Sequence, residues 1–219
     1  MVLSNQINFA KKKLDFNYKN IVIVPVIILL ITSCTTKKVT WAPEDEVISA
    51  TYQNNKPTSI TLLTMINNTT GMGGHSALLI NSEERILFDP AGTFKHPQIP
   101  EQHDVFFGMN DTALERYIDY HARPTIHVVM QSTEIESKVA IKLTNLVKNY
   151  GPVQDMMCSY AISEVLNQVP NFITIPKSYF PKTTMENFSK LEGVTTTKVY
   201  DYFLDDKSNI FFEKQKLRK

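Results

Sequence analysis

Apolar side chains recur along this chain at two spacings, and each spacing predicts a different kind of element. Alternating or continuous apolar runs predict strands at residues 59–66, 75–80, 85–89, 125–131 and 195–203. Apolar positions that repeat every three to four residues predict helices at residues 111–121, 134–150, 157–169 and 184–191. This set of elements favours an α+β domain with an antiparallel sheet.

The N-terminal region has the pattern of an export signal. An unbroken apolar run at residues 21–31 follows four lysines, Lys11, Lys12, Lys13 and Lys19. At about 1.5 Å per residue this run forms roughly 17 Å of helix, well short of the ~30 Å hydrocarbon core of a bilayer, so it does not predict a permanent span. The run ends in LITSC, which resembles the bacterial lipobox and implies diacylation of Cys34. The alternative is a plain secretory signal with an incidental cysteine.

These patterns divide the chain into four segments. Residues 1–33 are predicted to be a lipoprotein signal peptide, 34–57 the lipidated N-terminus and a polar tether, 58–205 the folded domain, and 206–219 a polar basic tail. The residue after Cys34 is Thr rather than Asp, which implies the outer membrane if the cell has one. The domain is therefore expected in the bacterial cell envelope, held to a membrane by the lipid on Cys34.

Composition narrows the classes of function. The chain has 219 residues, of which 42% are hydrophobic, and this suits one well-buried core. Its 23 basic and 22 acidic residues leave a formal net charge of +1, so no general attraction to nucleic acid is expected. The two cysteines, Cys34 and Cys158, lie in regions of different character, which argues against a disulfide framework.

Cys158 is the first candidate for chemistry. Gly151 and Pro152 end the preceding helix, and Asp155 is the expected N-cap of the next one, which places Cys158 in its first turn. Free backbone N–H groups and the positive end of the helix dipole stabilise a thiolate there, and the same groups can hold an oxyanion. The alternative is a buried structural cysteine, because Cys158 also shares the apolar face of its helix with Ile162.

His75 is the second candidate, and it opens a predicted strand directly after the glycine-rich residues 71–74. A turn through residues 81–83 would place His75 opposite Asp89, with their Cβ atoms about 5 Å apart, and the first turn of the Cys158 helix is predicted to pack over the face they share. A carboxylate in that position orients the imidazole and stabilises its charged form. The alternative for Asp89-Pro-Ala-Gly92 is a simple turn at the end of a strand.

The order of these segments resembles a known superfamily. The resemblance rests on residues 74–80 (GHSALLI), then 86–92 (ILFDPAG), then a distant cysteine that opens a helix. In these segments the chain resembles the circularly permuted NlpC-type branch of the papain-like cysteine peptidases. The resemblance covers roughly residues 59–191 and implies a papain-like catalytic domain with Cys158 as nucleophile, His75 as base and Asp89 as its orienting partner. Met157 stands where many permuted members have Asn.

The remaining histidines point to no second site. His96 and His103 lie in a Pro-rich segment that is either a plain solvated loop or a lid, and His121 and His127 are expected to be structural. No pair of histidines has the spacing of a helical zinc site, and the predicted domain offers no second cysteine, so neither a catalytic metal nor another cofactor is expected.

The sequence therefore predicts an envelope lipoprotein that hydrolyses an amide bond through a thioester intermediate. The expected substrates are a peptide, a peptide bridge of peptidoglycan, or an N-acyl amide. Acyl transfer is an equal alternative to hydrolysis, because both pass through the same acyl-enzyme. The competing hypothesis is a lipoprotein that uses the same fold for binding or scaffolding without catalysis.

Overall fold

A computed structural model of the chain describes residues 41–201 and the backbone of residues 211–215. Its centre is an eight-stranded antiparallel sheet with the spatial order β4-β5-β3-β2-β1-β6-β7-β8. The strands are β1 (Ser59–Asn67), β2 (Gly73–Asn81), β3 (Arg85–Phe88), β4 (Glu101–Gln102), β5 (Val105–Phe106), β6 (Ile126–Glu134), β7 (Thr195–Tyr200) and β8 (Phe211–Gln215).

Five α-helices accompany this sheet in the described part of the chain: α1 (Glu44–Ser49), α2 (Asp111–His121), α3 (Ser137–Lys148), α4 (Cys158–Leu166) and α5 (Pro181–Phe188). The mixed α+β class with an antiparallel sheet is confirmed. Within the described ranges, none of the helices is both long enough and apolar enough to cross a membrane.

The two faces of the sheet carry separate hydrophobic cores, because side chains alternate along each strand. Helices α3, α4 and α5 contribute to one core, which includes Leu62, Leu78, Ile80, Phe88, Ile162 and Phe188. Helix α2 contributes to the other, which includes Leu63, Ala77, Leu79, Leu87, Tyr117 and Ile118. Asn110 caps α2 by accepting a hydrogen bond from the backbone N–H of Ala113 at 2.8 Å.

The register of β2 against β3 differs from the expected one by two residues. Leu78 pairs with Phe88 and Asn81 pairs with Arg85, so the three-residue turn lies one residue later than expected, at residues 82–84, and His75 lies beyond the paired region. The predicted pairing of His75 with Asp89 is therefore wrong. A shift of two residues keeps every side chain on its own face, however, which is why the hydrophobic pattern did not detect it.

The packing of the cysteine helix also differs from the expectation. Ile162 of α4 lies in the same core as Leu78, whereas His75 follows the alternation of Ala77 and Leu79 on the opposite face. Helix α4 therefore does not pack over the face shared by His75 and Asp89. Its first residue, Cys158, approaches His75 from the other side of the sheet.

Residues 41–57, which the sequence assigned to a tether, contain helix α1 and contact the domain. The Ala42 N–H donates to the carbonyl of Glu101 at 2.9 Å, and Val47 is buried in the core with α4. Helix α1 has only six residues, too few to produce a readable apolar period. The predicted signal peptide and Cys34 lie outside the described residues.

The C-terminal segment also differs from the predicted polar tail in one part. The backbone of β8 pairs with β7, with Thr196 opposite Gln215 and Tyr200 opposite Phe211. The two aromatic residues at its start interrupt an otherwise polar stretch, and this local pattern was too short to predict a strand.

Candidate active site

The candidate site lies where β2 extends beyond the end of β3. Strand β3 pairs only with the second half of β2, up to Leu78, so the backbone of His75 and Ser76 has no strand beside it on that side. Cys158 occupies this notch, where the backbone N–H of Ser76 lowers the pKa of its thiol. The notch exists because β3 is shorter than β2. It leaves room for the start of α4 beside the start of β2.

Glycine at the start of β2 allows a second helix to close the same region. A Cβ atom on Gly73 would lie 2.7 Å from the backbone nitrogen of Lys182, at the beginning of α5. Helix α5 is tied to α4 by a buried hydrogen bond of 2.8 Å between the hydroxyls of Ser159 and Thr184. Glycine at position 73 therefore admits the close approach of the α5 backbone to β2.

Cys158 is the first residue of α4, and only 5% of its surface is exposed. Met157, not Asp155, is the N-cap, and it gives the helix no side-chain hydrogen bond. The helical ladder begins with the Ala161 N–H, which donates to the Met157 carbonyl at 2.9 Å. The preceding N–H groups of the first turn have no partner within the ladder, so they are directed to the surroundings of the sulfur. One of them, the Ser159 N–H, lowers the pKa of the Cys158 thiol.

His75 links the cysteine to a buried carboxylate. Its Nε2 atom lies 2.6 Å from Oδ1 of Asp89, whose side chain is completely buried, while the His75 side chain remains 18% exposed. The imidazole also lies close enough to Cys158 for each group to shift the pKa of the other. His75 is therefore the middle member of a Cys158–His75–Asp89 chain, and the three residues singled out from the sequence are brought together.

Electrostatics favour an ion pair between Cys158 and His75. Burial by itself lowers the pKa of His75, but the charge and hydrogen bond of Asp89, together with Cys158, outweigh it and raise the pKa to about 10. Burial by itself raises the pKa of the Cys158 thiol, yet the hydrogen bond and charge of His75 and the N–H groups of Ser76 and Ser159 bring it below its usual value. At neutral pH this arrangement stabilises imidazolium and thiolate.

Tyr117 is a further member of the site that sequence reasoning missed. Its hydroxyl is fully buried on α2 and donates to Oδ1 of Asp89 at 2.8 Å. Burial by itself raises the pKa of Asp89, but His75, the positive charge on His121 when protonated, and the Tyr117 hydroxyl bring it below the usual value. In the sequence Tyr117 falls on the apolar face of a predicted helix, so nothing distinguished it from a core tyrosine.

His121, which the sequence assigned a structural role, stands against the imidazole of His75. The two rings stack with centroids 5.8 Å apart and planes inclined by 15°. The Nδ1–H of His121 donates to the carbonyl of Tyr117 at 2.9 Å. Burial lowers the pKa of His121, so at neutral pH it is an uncharged ring beside the charged one.

The other histidines make contacts elsewhere. His96 lies 3.1 Å from Nη1 of Arg116, and His103 packs edge-on against Trp41 with ring centroids 5.6 Å apart. The Nδ1 atom of His127 lies 2.6 Å from Oδ1 of Asn68. Within the described ranges, no group of three or more His, Cys, Asp or Glu side chains is arranged to hold a metal ion.

Comparison of the chain with family models, curated proteins and solved structures finds no match.

Proposed function

We propose that the chain is a papain-like cysteine hydrolase that cleaves an amide bond, with Cys158 as nucleophile, His75 as general acid and base, and Asp89 as the group that orients His75. The observation that supports this most is the coupling of a helix-start thiol, an imidazole with a pKa raised to about 10 and a buried carboxylate 2.6 Å from that imidazole. Nucleophile, base and orienting group are the parts that covalent acyl transfer requires.

In the first half of the reaction the Cys158 thiolate adds to the carbonyl carbon of the amide. The carbonyl oxygen takes up the electron pair, and the free N–H groups at the start of α4 are suited to stabilise that oxyanion. When the intermediate collapses, the C–N bond breaks and the His75 imidazolium gives its proton to the departing nitrogen. The products of this half are a free amine and a thioester on Cys158.

In the second half, neutral His75 removes a proton from water as the water oxygen attacks the thioester carbonyl. Collapse of the second tetrahedral intermediate breaks the C–S bond, releases the carboxylic acid and returns Cys158 to its thiolate form. The proton stays on His75, which restores the starting ion pair. An alcohol or amine in place of water gives acyl transfer through the same acyl-enzyme, so the proposal includes transferase activity as a variant.

We propose further that the protein acts in the bacterial cell envelope as a lipoprotein anchored through Cys34. The apolar run that ends in LITSC supports this location. An envelope location favours a peptide, a peptidoglycan peptide bridge or an N-acyl amide as substrate. Nothing in the charge balance of the chain favours a nucleic acid.

The proposed function is tested by the reactivity of the single thiol. In a full-length chain carrying Cys34→Ser, Cys158 is the only remaining cysteine, so mass spectrometry of iodoacetamide labelling at successive pH values measures its titration alone. We expect labelling to persist at mildly acidic pH, where a free thiol with a pKa of ~8.5 is protonated. His75→Ala removes the positive partner and is expected to move the profile to higher pH. Asp89→Asn is expected to move it less, because it acts through His75.

The same experiment separates catalysis from the competing hypothesis of a binding or scaffolding lipoprotein. A structural cysteine on an apolar helix face resists labelling until the chain unfolds, since burial without a positive partner raises its pKa. If native Cys158 resists labelling at every pH, or labels like a free thiol with and without His75, the hydrolase proposal fails.

A further inference from the structure

The β4–β5 hairpin is built around two residues with left-handed backbone angles. His103 has φ of 50° and Asp104 has φ of 63°, and they form the two-residue connection between Glu101–Gln102 and Val105–Phe106. Positive φ at both central residues is typical of a type I′ hairpin turn, in which Asp and Asn are tolerated better than most residues. The turn fixes the direction in which Asp104 presents its carbonyl and its carboxylate.

Asp104 contacts both segments that carry the candidate site. Its carbonyl accepts a hydrogen bond from the Asp89 N–H at 2.8 Å. Its Oδ2 atom accepts from the Val153 N–H at 2.8 Å and from the Ala91 N–H at 3.3 Å. Only 6% of the residue is exposed. One residue thus joins the turn that contains Asp89 to the segment that leads into Cys158.

The two joined segments are irregular and belong to different parts of the chain. The Asp89 turn follows β3, whereas Val153 follows the end of α3, and Gly151 with φ of 85° and Met156 with φ of 68° interrupt regular structure between α3 and α4. Irregular segments of this kind are held by hydrogen bonds to specific partners rather than by a ladder. The Asp104 carboxylate is such a partner for both.

We propose that Asp104 is a positioning residue, which sets the alignment of Cys158 with His75 by clamping the Asp89 turn to the segment before α4. This inference rests on the proposed hydrolase function, because it assigns Asp104 a role in the same site. Asp104 touches neither the sulfur nor the imidazole in any contact described above. Its influence is expected to pass through the backbone of Asp89 and Val153.

Two substitutions that suit the turn test this proposal. Asp104→Asn keeps a side-chain oxygen that can accept from Val153 and Ala91, and Asp104→Gly removes the acceptor while favouring positive φ. Both are made in the full-length Cys34→Ser chain, and the pH profile of iodoacetamide labelling at Cys158 is measured well below the thermal unfolding midpoint. We expect Asp104→Asn to keep the midpoint of the labelling profile within about 0.3 pH units of the parent, and Asp104→Gly to move it about one pH unit higher, equal to a tenfold weaker acid.

The labelling profile distinguishes positioning from stability alone. A purely structural Asp104 would lower the unfolding midpoint of the Gly variant and leave the profile of its folded form unchanged, and that result overturns the proposal. If Asp104→Gly does not fold, Asp104→Glu takes its place under the same criterion, because the longer side chain displaces the carboxylate. A parent chain that labels like a free thiol defeats the hydrolase function itself, and the role of Asp104 with it. A shifted parent profile with an unshifted Gly variant defeats only the role of Asp104.

Discussion

His75 and Asp89 are joined by a 2.6 Å contact between Nε2 and Oδ1, although they are not partners in the β-ladder. The ladder between β2 and β3 ends at Leu78 and Phe88, and Asp89 begins the turn that follows. That turn is closed by the Gly92 N–H, which donates to the Asp89 carbonyl at 3.0 Å. The contact therefore depends on the turn geometry as much as on the sheet, and the first two predictions concern its supports.

Tyr117→Phe is expected to weaken the support of Asp89. The change removes the hydroxyl that donates to Asp89 at 2.8 Å, and a buried hydrogen bond to a charged group contributes about 1.5–3 kcal/mol. We expect the free energy of unfolding to fall by roughly that amount. The pKa of Asp89 should rise, and the labelling profile of Cys158 should move to higher pH because Asp89, with one fixed contact fewer, orients His75 toward the thiolate less firmly.

Tyr150→Phe is the matched control for this change. Tyr150 also donates to a carboxylate, Oε2 of Glu164, at 2.7 Å, but that pair is partly exposed and joins the residues after α3 to α4. Tyr150→Phe should leave the labelling profile of Cys158 unchanged and should lower the free energy of unfolding less than Tyr117→Phe does. If the two variants move the labelling profile equally, Tyr117 has no specific role at Asp89.

Gly92→Ala is expected to displace the Asp89 carboxylate. A Cβ atom at this position would overlap that carboxylate, although the backbone of Gly92 is not among the positive-φ positions and would accept alanine. Overpacking of this kind costs about 1–3 kcal/mol, and we expect the Cys158 profile to move to higher pH with the loss of stability. Urea unfolding and iodoacetamide labelling measure the two effects.

Gly74→Ala provides the comparison, since it changes a glycine next to His75 where there is room. The nearest atom to a Cβ there is the Met65 carbonyl oxygen at 4.0 Å, an ordinary contact distance. Labelling of Cys158 in this variant should match that of the parent. Equal effects of the two alanines would mean that the contact with Asp89 is not what Gly92 provides.

Sequence pattern was most informative where an element was long and rich in apolar residues. The bounds of α2 were predicted to the residue, and β1 and β2 to within two residues at each end. The β4–β5 hairpin was missed because its strands have two residues each and its turn contains His103 and Asp104 instead of the usual Asn-Gly. The role of Asp104 was missed for the same reason, because its contacts depend wholly on the tertiary position of that hairpin.

The site could be assembled from sequence only in outline. His75, Asp89 and Cys158 were chosen for their residue types and for their places at the ends of predicted elements, and these features are local. Their mutual orientation was not local. It depends on where along the chain the β2–β3 turn lies and on the side of the sheet where α4 packs, and period-two alternation does not specify either one. Tyr117 was missed because a tyrosine on an apolar helix face is indistinguishable from a core residue unless the partner of its hydroxyl is known.

The third prediction concerns the anchor, which lies outside the described residues. Cys34→Ser removes the acyl acceptor of the lipobox-like sequence and should release the protein from the membrane fraction of a bacterium that processes lipoproteins. The wild-type chain should appear there as a cleaved, acylated form by mass spectrometry, with the domain accessible from outside the cytoplasm. A wild-type chain that remains full-length and cytosolic contradicts the proposed location.

The last prediction is that stability is flat between about pH 7 and 8.5 and falls between about pH 8.5 and 10. In the flat range the unfolded chain holds one proton on the Cys158 thiol, and the folded chain holds one on His75, so neither state binds more protons. Above about pH 8.5 the unfolded thiol loses its proton while folded His75, with its pKa raised to about 10, retains one. Stability should then fall by up to about 1.4 kcal/mol per pH unit.

Cys158→Ala, made in the Cys34→Ser chain, separates the two halves of this balance. Without the thiol, His75 loses its proton near pH 6.5 in the unfolded state, whereas in the folded state Asp89 still stabilises the protonated imidazole. The decline in stability should therefore begin about two pH units earlier than in the parent. Urea unfolding from pH 6 to 10 measures both curves, and their difference removes the contributions of groups elsewhere. Parallel curves would mean that Cys158 is a neutral thiol in the folded protein at pH 7, since only a thiolate paired with imidazolium produces the flat range.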